Sequence, residues 1–392
     1  MKVSLLFLGQ LTIQARAFLS YLSEHGYEVT AISTSQWSSS KKIADTNIPV
    51  YSLYDDSKIR AILKGPLELY EKAAFYNIAR NLNLKNDKLK RIIDKACIDI
   101  IYGSWGSQSL PEIGMAQELQ VPTVYEFLTY PTSSNRLAEK IENFFNRRTV
   151  NDLDGRVFST QRMSYYMRNA FGVLRGENLI FTECYPEKFY YRKRLPLLSG
   201  FDGQPHIVFI GMDVCDILPQ IEELASRKIH VHMCDANQAG WNARARTHAS
   251  RMYASKNRPS FVHPFNKFTF GEIADGTLAT FLTQFDACLV TYNFWASSSL
   301  SRFANSIPSR FSIALLAGIP IIVPSGYLKG CEEIIEKHQI GFACKSYADL
   351  RNKLGNESML NYYQNNAIKN SKFFSLENNF TKMDKFLKRI ID

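Results

Sequence analysis

With 392 residues the chain is longer than a single hydrophobic core usually supports, so two domains of roughly 190 residues each are expected. A composition of 45% hydrophobic and 21% charged residues excludes a disordered or low-complexity polymer, and no apolar run reaches the ~18–20 residues that span a bilayer. The formal charge of +10 calls for an anionic partner; with no nucleic-acid module in the sequence, the candidates are a phosphorylated substrate and an anionic membrane surface.

The first unit reads strand, helix, strand. Val3 to Leu8 is a continuous apolar run of the kind buried in a parallel sheet, and Gly9 breaks it. Helical spacing over 13–25 ends at His25-Gly26, and Val29 to Ile32 gives the next strand. The short apolar core at 3–8, followed at once by Gln10, Gln14 and Arg16, argues against a secretory leader, so a cytoplasmic setting is expected. A helical region over 58–97 precedes a strand at 98–103, and a helix over 111–119 precedes a strand at 121–125. A helix near 135–150 leads to a strand at 155–159, and one near 161–170 leads to a strand at 178–181.

Residues 192–205 carry two glycines and two prolines and break the periodicity, the best linker signal in the chain. A second series opens with a strand at 206–211 and continues with strands at 229–233, 261–262, 287–290 and 321–323. The expected fold is therefore α/β, with two Rossmann-like doubly wound parallel-sheet domains facing across a cleft and ligands at the carboxyl ends of the strands. The expected boundaries are 1–195 for the acceptor-side domain, 196–205 for the linker and 206–358 for the nucleotide-binding domain. Helices over 359–392 are expected to return to the first domain. The seven cysteines are scattered, without C-x-x-C spacing, and read as reduced thiols rather than as disulfides or zinc ligands.

The most specific stretch is Pro308-Ser-Arg310-Phe-Ser-Ile313-Ala-Leu-Leu-Ala-Gly318-Ile-Pro320-Ile-Ile-Val323. It resembles the donor-site motif of GT-B glycosyltransferases: a helix of small residues ended by Gly, a Pro opening the next strand, and a basic residue at the helix entrance, where phosphate is favoured. Three further segments resemble that superfamily in the same order: Val124 to Pro131, Asp154 to Ser159 and Phe285 to Val290. Departures accompany the likeness. The family's donor-site glutamate falls on Ile313, a second glutamate of one large subgroup on Asn305, and its active-site histidine on Leu128.

The resemblance implies a nucleotide-sugar (UDP- or GDP-linked) as substrate, no separate cofactor, no metal, and a glycan or lipid-linked acceptor in glycoconjugate synthesis. It also implies retention of anomeric configuration. Separately, the basic helices of the first half suggest a protein peripheral on an anionic membrane. Arg310 is the candidate phosphate ligand, the alternative being a surface arginine that caps a neighbouring helix. The backbone of Ser325 and Gly326, the turn at Gly211, Tyr292 and His263 are further candidates on the donor side. Glu126 is the candidate base, or else a brace at a strand end. Gly9 and Gln10 follow the first strand and are candidate cleft contacts, although a tight turn alone also accounts for Gly9. Asp152-Leu-Asp154 is set aside as a metal motif because nothing nearby supplies further oxygen ligands. The three departures support a second reading, a catalytically degenerate module that serves a partner glycosyltransferase.

Overall fold

The computed structural model describes residues 2–33, 47–52, 87–105, 109–131, 136–182, 184–210, 218–234, 261–291 and 303–392. They form two compact units: Met1–Cys184, Ser298–Ile307 and Asn379–Asp392 make the first, and Tyr185–Ser297 with Pro308–Asn378 the second.

Unit 1 is built on β1 (Val3–Gly9), β2 (Tyr27–Ser33), β3 (Val50–Ser52), β4 (Ile100–Trp105), β5 (Thr123–Phe127), β6 (Gly155–Phe158) and β7 (Glu177–Ile180). They lie in the order β3-β2-β1-β4-β5-β6-β7, all parallel. Its helices are α1 (Ile13–Glu24), α2 (Asp87–Ala96), α3 (Leu110–Glu118), α4 (Arg136–Asn151) and α5 (Gln161–Phe171). Thr12 and Thr160 cap α1 and α5 by accepting the N–H groups of Ala15 and Met163, orphan donors that would otherwise lack a partner. Leu5, Leu6, Leu8, Ile100, Ile101, Val124 and Phe127 are all fully buried, as a parallel sheet covered on both faces requires. The largest fully buried side chain is that of Arg156 on β6; its guanidinium donates to the carbonyls of Val150, Asn151 and Arg175 and so satisfies the open end of α4.

Unit 2 repeats the plan with β8 (His206–Phe209), β9 (His230–Cys234), β10 (Val262–Phe265), β11 (Ala287–Leu289), β12 (Ile321–Pro324) and β13 (Gly341–Cys344). The order is β10-β9-β8-β11-β12-β13, again parallel throughout. Its helices are α6 (Ser199–Asp202), α7 (Leu218–Ser226), α8 (Phe270–Ala274), α9 (Thr277–Leu282), α10 (Ser309–Ala317), α11 (Lys329–His338), α12 (Tyr347–Leu354) and α13 (Glu357–Ser371). The last helix, α14, runs from Leu376 to Ile391. Residues 192–205, read as a linker, lie wholly within unit 2 and contain α6.

Two strands escaped the sequence reading, β3 and β13, both short; β13 contains Gly341 and Ala343 and carries no β-branched residue. Of the helix expected over 58–97 the described part is α2, and residues 53–86 lie outside the described residues. Among the described residues six cysteines are free thiols; Cys184, Cys288, Cys331 and Cys344 are buried, Cys234 is partly so and Cys97 is exposed, while Cys215 lies outside the described residues. Among the described residues no helix is long and apolar enough to cross a membrane.

From Asn379 onward the last helix belongs to the first unit. Met383, Phe386 and Leu387 are fully buried, Asp384 accepts the Tyr27 hydroxyl at 2.8 Å, and the Phe386 ring reaches β6 at Gly155, where a Cβ would come within 2.9 Å of it. Truncating Phe386 to Ala is expected to destabilise unit 1 by about 3–5 kcal/mol. Hydrogen exchange of the β6 and β1 amides measures the loss, with the unit 2 strands as internal reference.

Candidate functional site

In a doubly wound sheet the strand order reverses where the chain changes direction, and the loops leaving the two flanking strands part to leave a crevice at their carboxyl ends. In unit 1 that point lies between β1 and β4. A small cavity opens there, lined by Phe7, Thr12, Gln14, Phe18, Ser104, Glu126, Leu128 and Phe181. Gly9 closes β1 at its rim. A Cβ on Gly9 would stand 2.9 Å from the Ser104 carbonyl oxygen, so close approach of the two strands, rather than a turn, requires glycine. The side-chain oxygen of Gln10 is buried without a hydrogen-bond partner among the described residues.

Glu126 is the carboxylate in this cavity. Ser104 donates its hydroxyl to Oε2 at 2.8 Å. The Tyr102 hydroxyl faces the same carboxylate but lies outside hydrogen-bond geometry, so Ser104 is the donor that orients the acid. Burial disfavours the charged form and pushes the Glu126 pKa up to about 7, with the Ser104 and Tyr102 hydroxyls opposing the shift. A carboxyl group poised there can take or give a proton near neutral pH.

In unit 2 the reversal lies between β8 and β11. Arg310, the second residue of α10, is 8% exposed and reaches across this point: Nη1 donates to the Thr291 carbonyl at 2.6 Å, and the guanidinium carbon lies 4.9 Å from the centre of the Phe209 ring. Phe209 ends β8 and Thr291 follows β11, so Arg310 occupies the carboxyl edge where phosphate ligands gather in this class of sheet. The hydroxyl of the fully buried Thr291 has no hydrogen-bond partner among the described residues.

Ser325 and Gly326 follow β12 on the same edge, but as N–H donors they need correcting. The Ser325 N–H donates to the Cys344 carbonyl at 2.8 Å and extends the β12–β13 ladder, while the Gly326 N–H is held by the Glu332 carboxylate. Neither is left to bind a phosphate. His263 also departs from its expected setting. It is the second residue of β10 and belongs to a stack of four histidines toward the amino-terminal edge of the sheet, away from the loops that Arg310 joins. Gly211 and Tyr292 lie outside the described residues. Asp154, set aside as a metal ligand, accepts the Thr123 N–H and hydroxyl and braces β5. Ile313 and Leu128 are buried and apolar, and Asn305 is buried.

Sequence reasoning missed Ser104, Tyr102, Phe209 and Thr291, because a partner on an adjacent strand, far along the chain, leaves no local periodicity. Their one available signal was position, at or near the last residue of an apolar run.

No family model matches the sequence. No curated protein matches it either. Solved structures do match, along nearly the whole chain. Sucrose-phosphate synthase from Thermosynechococcus elongatus superposes with a TM-score of 0.68 at 12% identity, covering 99% of each chain. A glycosyltransferase from Rickettsia africae gives 0.67 at 13% identity, covering 100% of this chain and 99% of its own. Anabaena HepE, in complex with UDP and glucose, gives 0.63 at 12% identity, covering 99% of this chain and 100% of its own. The two parallel-sheet units are therefore those of the GT-B fold.

The raised Glu126 pKa fixes the sign of a pH effect. Folding favours the protonated acid, so its contribution is complete below the usual value of 4.5 and is lost as the pH rises through about 7. In urea unfolding compared with Glu126→Gln, the wild type should lose relative stability across that window and run parallel to the variant above it.

Proposed function

We propose that the chain is a glycosyltransferase that moves a sugar from a UDP- or GDP-sugar to a glycan or lipid-linked acceptor. The observation that carries this reading is Glu126: a proton-accepting carboxyl oriented by Ser104 at the switch point of unit 1. The acceptor hydroxyl attacks the anomeric carbon, the bond to the diphosphate oxygen breaks, and Glu126 takes the hydroxyl proton. Arg310 is the proposed countercharge for the departing diphosphate, fixed in place by Thr291 and Phe209 so that little reorganisation accompanies the step. The fold-wide likeness to glycosyltransferase structures, one of them holding UDP and glucose, supports a nucleotide-linked donor. The resemblance in the sequence implies retention, whereas a base acting on the acceptor is the arrangement for inversion. The anomeric proton of the product distinguishes the two by NMR.

A second reading rests on Ile313 and Leu128. Both are buried apolar residues where the resembling family carries a glutamate and a histidine, which favours a non-catalytic module that supports an active partner. Ligand binding separates the two readings. A nucleotide at ~100 times its dissociation constant should add about 2.7 kcal/mol of stability. On the first reading UDP or GDP raises the melting temperature, Arg310→Ala weakens that nucleotide by about tenfold or more, and Glu126→Gln lowers kcat by roughly 10²–10⁴ without changing nucleotide affinity. No shift with any nucleotide, together with no release of diphosphate, leaves the second.

A membrane-bound acceptor is the proposed class, and α4 is the reason. Leu137 and Phe144 are 67% and 75% exposed, Ile141 and Phe145 are exposed beside them, and Arg136, Lys140, Arg147 and Arg148 flank them in solvent. Apolar residues among basic ones suit the interface of an anionic bilayer. The double substitution Leu137→Glu, Phe144→Glu should abolish co-sedimentation with anionic vesicles at low salt. Binding that survives it, or binding equal on neutral vesicles, refutes this face as the docking surface.

A further inference from the structure

At the amino-terminal edge of the unit 2 sheet, away from the loops that carry Arg310, four of the seven histidines of the chain meet. His206 opens β8 and His230 opens β9, and the two are register partners whose side chains share one face of the sheet. His232 and His263, themselves register partners on β9 and β10, stand one side-chain step further along that face. The His206 and His230 rings stack with centroids 4.1 Å apart and planes inclined by 5°. Both point Nε2 at one atom: Oδ2 of Asp202, the last residue of α6, lies 3.1 Å from His206 Nε2 and 3.1 Å from His230 Nε2.

We propose that Asp202, His206 and His230 form a binding site for a divalent transition cation of the zinc class. Their three ligand atoms lie within 4.8 Å of one another. Ligands at the usual zinc distances in a tetrahedral shell stand about 3.3 Å apart, close to the 3.1 Å between Asp202 Oδ2 and each Nε2. Two imidazole nitrogens and one carboxylate oxygen form a donor set that suits zinc better than calcium or magnesium. Asp202 binds through one oxygen only, since its Oδ1 accepts the Gln204 N–H at 2.9 Å. The Asp202 side chain is 40% exposed, which leaves an entry path and room for a water as the fourth ligand.

The surroundings are built in the way metal-binding imidazoles require. A ring that coordinates through Nε2 must hand its Nδ1–H to an acceptor, which fixes its tautomer and orientation. His206 Nδ1 lies 2.9 Å from His232 Nε2, and His230 Nδ1 lies 2.7 Å from His263 Nε2. Beneath the site the buried carboxylate of Asp286 accepts the Ser199 hydroxyl and the His206 N–H, each at 2.6 Å. One carboxylate thus ties the start of α6 to the start of β8 and sets the distance between Asp202 and the rings. A bound cation would fasten α6, β8 and β9 together, at the edge of the sheet remote from the proposed donor site.

The test uses the full chain with any affinity tag removed, stripped with a chelator and titrated with Zn²⁺ and with Co²⁺ by calorimetry and visible absorption. The expected result is one cation per chain, a higher melting temperature, and the intense visible bands of tetrahedral Co²⁺. Asp202→Asn and His230→Gln should each weaken binding, and His263→Gln, which touches the cation only through His230, should weaken it by about 10–100-fold. His25→Gln, outside the cluster, should bind as wild type does. Asp202 lies at the surface, so its variant keeps the test decisive even where a buried histidine cannot be replaced without unfolding. A folded chain that takes up neither cation, or Asp202→Asn and His230→Gln variants that bind as tightly as wild type, overturns the proposal.

Discussion

A parallel sheet covered on both faces confines chemistry to the ends of its strands. Leu5, Leu6, Leu8, Ile207, Val208 and Phe209 are fully buried, and no ionisable group there could reach a ligand from the middle of a strand without the cost of burying a charge. Polar groups therefore collect at the two edges, and the ionisable groups of the candidate sites stand there. Glu126 with Ser104 and Arg310 with Thr291 stand at or beside carboxyl ends, and the histidines with Asp202 lie toward an amino end.

Each edge also depends on a backbone arrangement that has to hold before its side chains can act. In unit 1, glycine at position 9 lets the end of β1 lie against Ser104, the residue that orients the carboxyl of Glu126. In unit 2 the Thr291 carbonyl holds the Arg310 fork, and Phe209 lies beneath its plane. A guanidinium kept charged while 8% exposed must be bound by oxygens or faced by a ring, and both are present. Its geometry is thus fixed ahead of any ligand. That preorganisation is what makes a fixed cation effective against charge that develops late in a reaction.

The fold was legible where the apolar runs are long and the breakers strong. Val3 to Leu8 followed by Gly9, and Ile321 to Val323 preceded by Gly318 and Pro320, read correctly because period and punctuation agree. The small-residue helix over 309–317 was legible for the same reason: close packing on a sheet demands such side chains, and they are visible one at a time. β13 was not legible, because glycine and alanine take two of its four positions and its strand character comes from pairing with β12. The candidate base was readable as a carboxylate at the end of an apolar run. Its titration behaviour was not, since that depends on Ser104 and Tyr102, more than twenty residues away on the neighbouring strand.

The histidines show why spacing along the chain is a poor guide to a cluster in a parallel sheet. Parallel neighbours need long connections, so residues in direct register stand tens of positions apart: His206 from His230, and His232 from His263. Asp202 was harder still, because Gly203 and Pro205 beside it made its segment read as a linker when it is a helix end. The signal that could have found the group is positional. His206 opens one strand-like run, His230 stands at the start of the next, and His232 follows His230 by two, so the three share a face once those runs pair in parallel with His206 opposite His230. Imidazoles on the inner face of a sheet must answer one another's hydrogen-bonding needs or be answered by a carboxylate, and here both happen within one continuous relay.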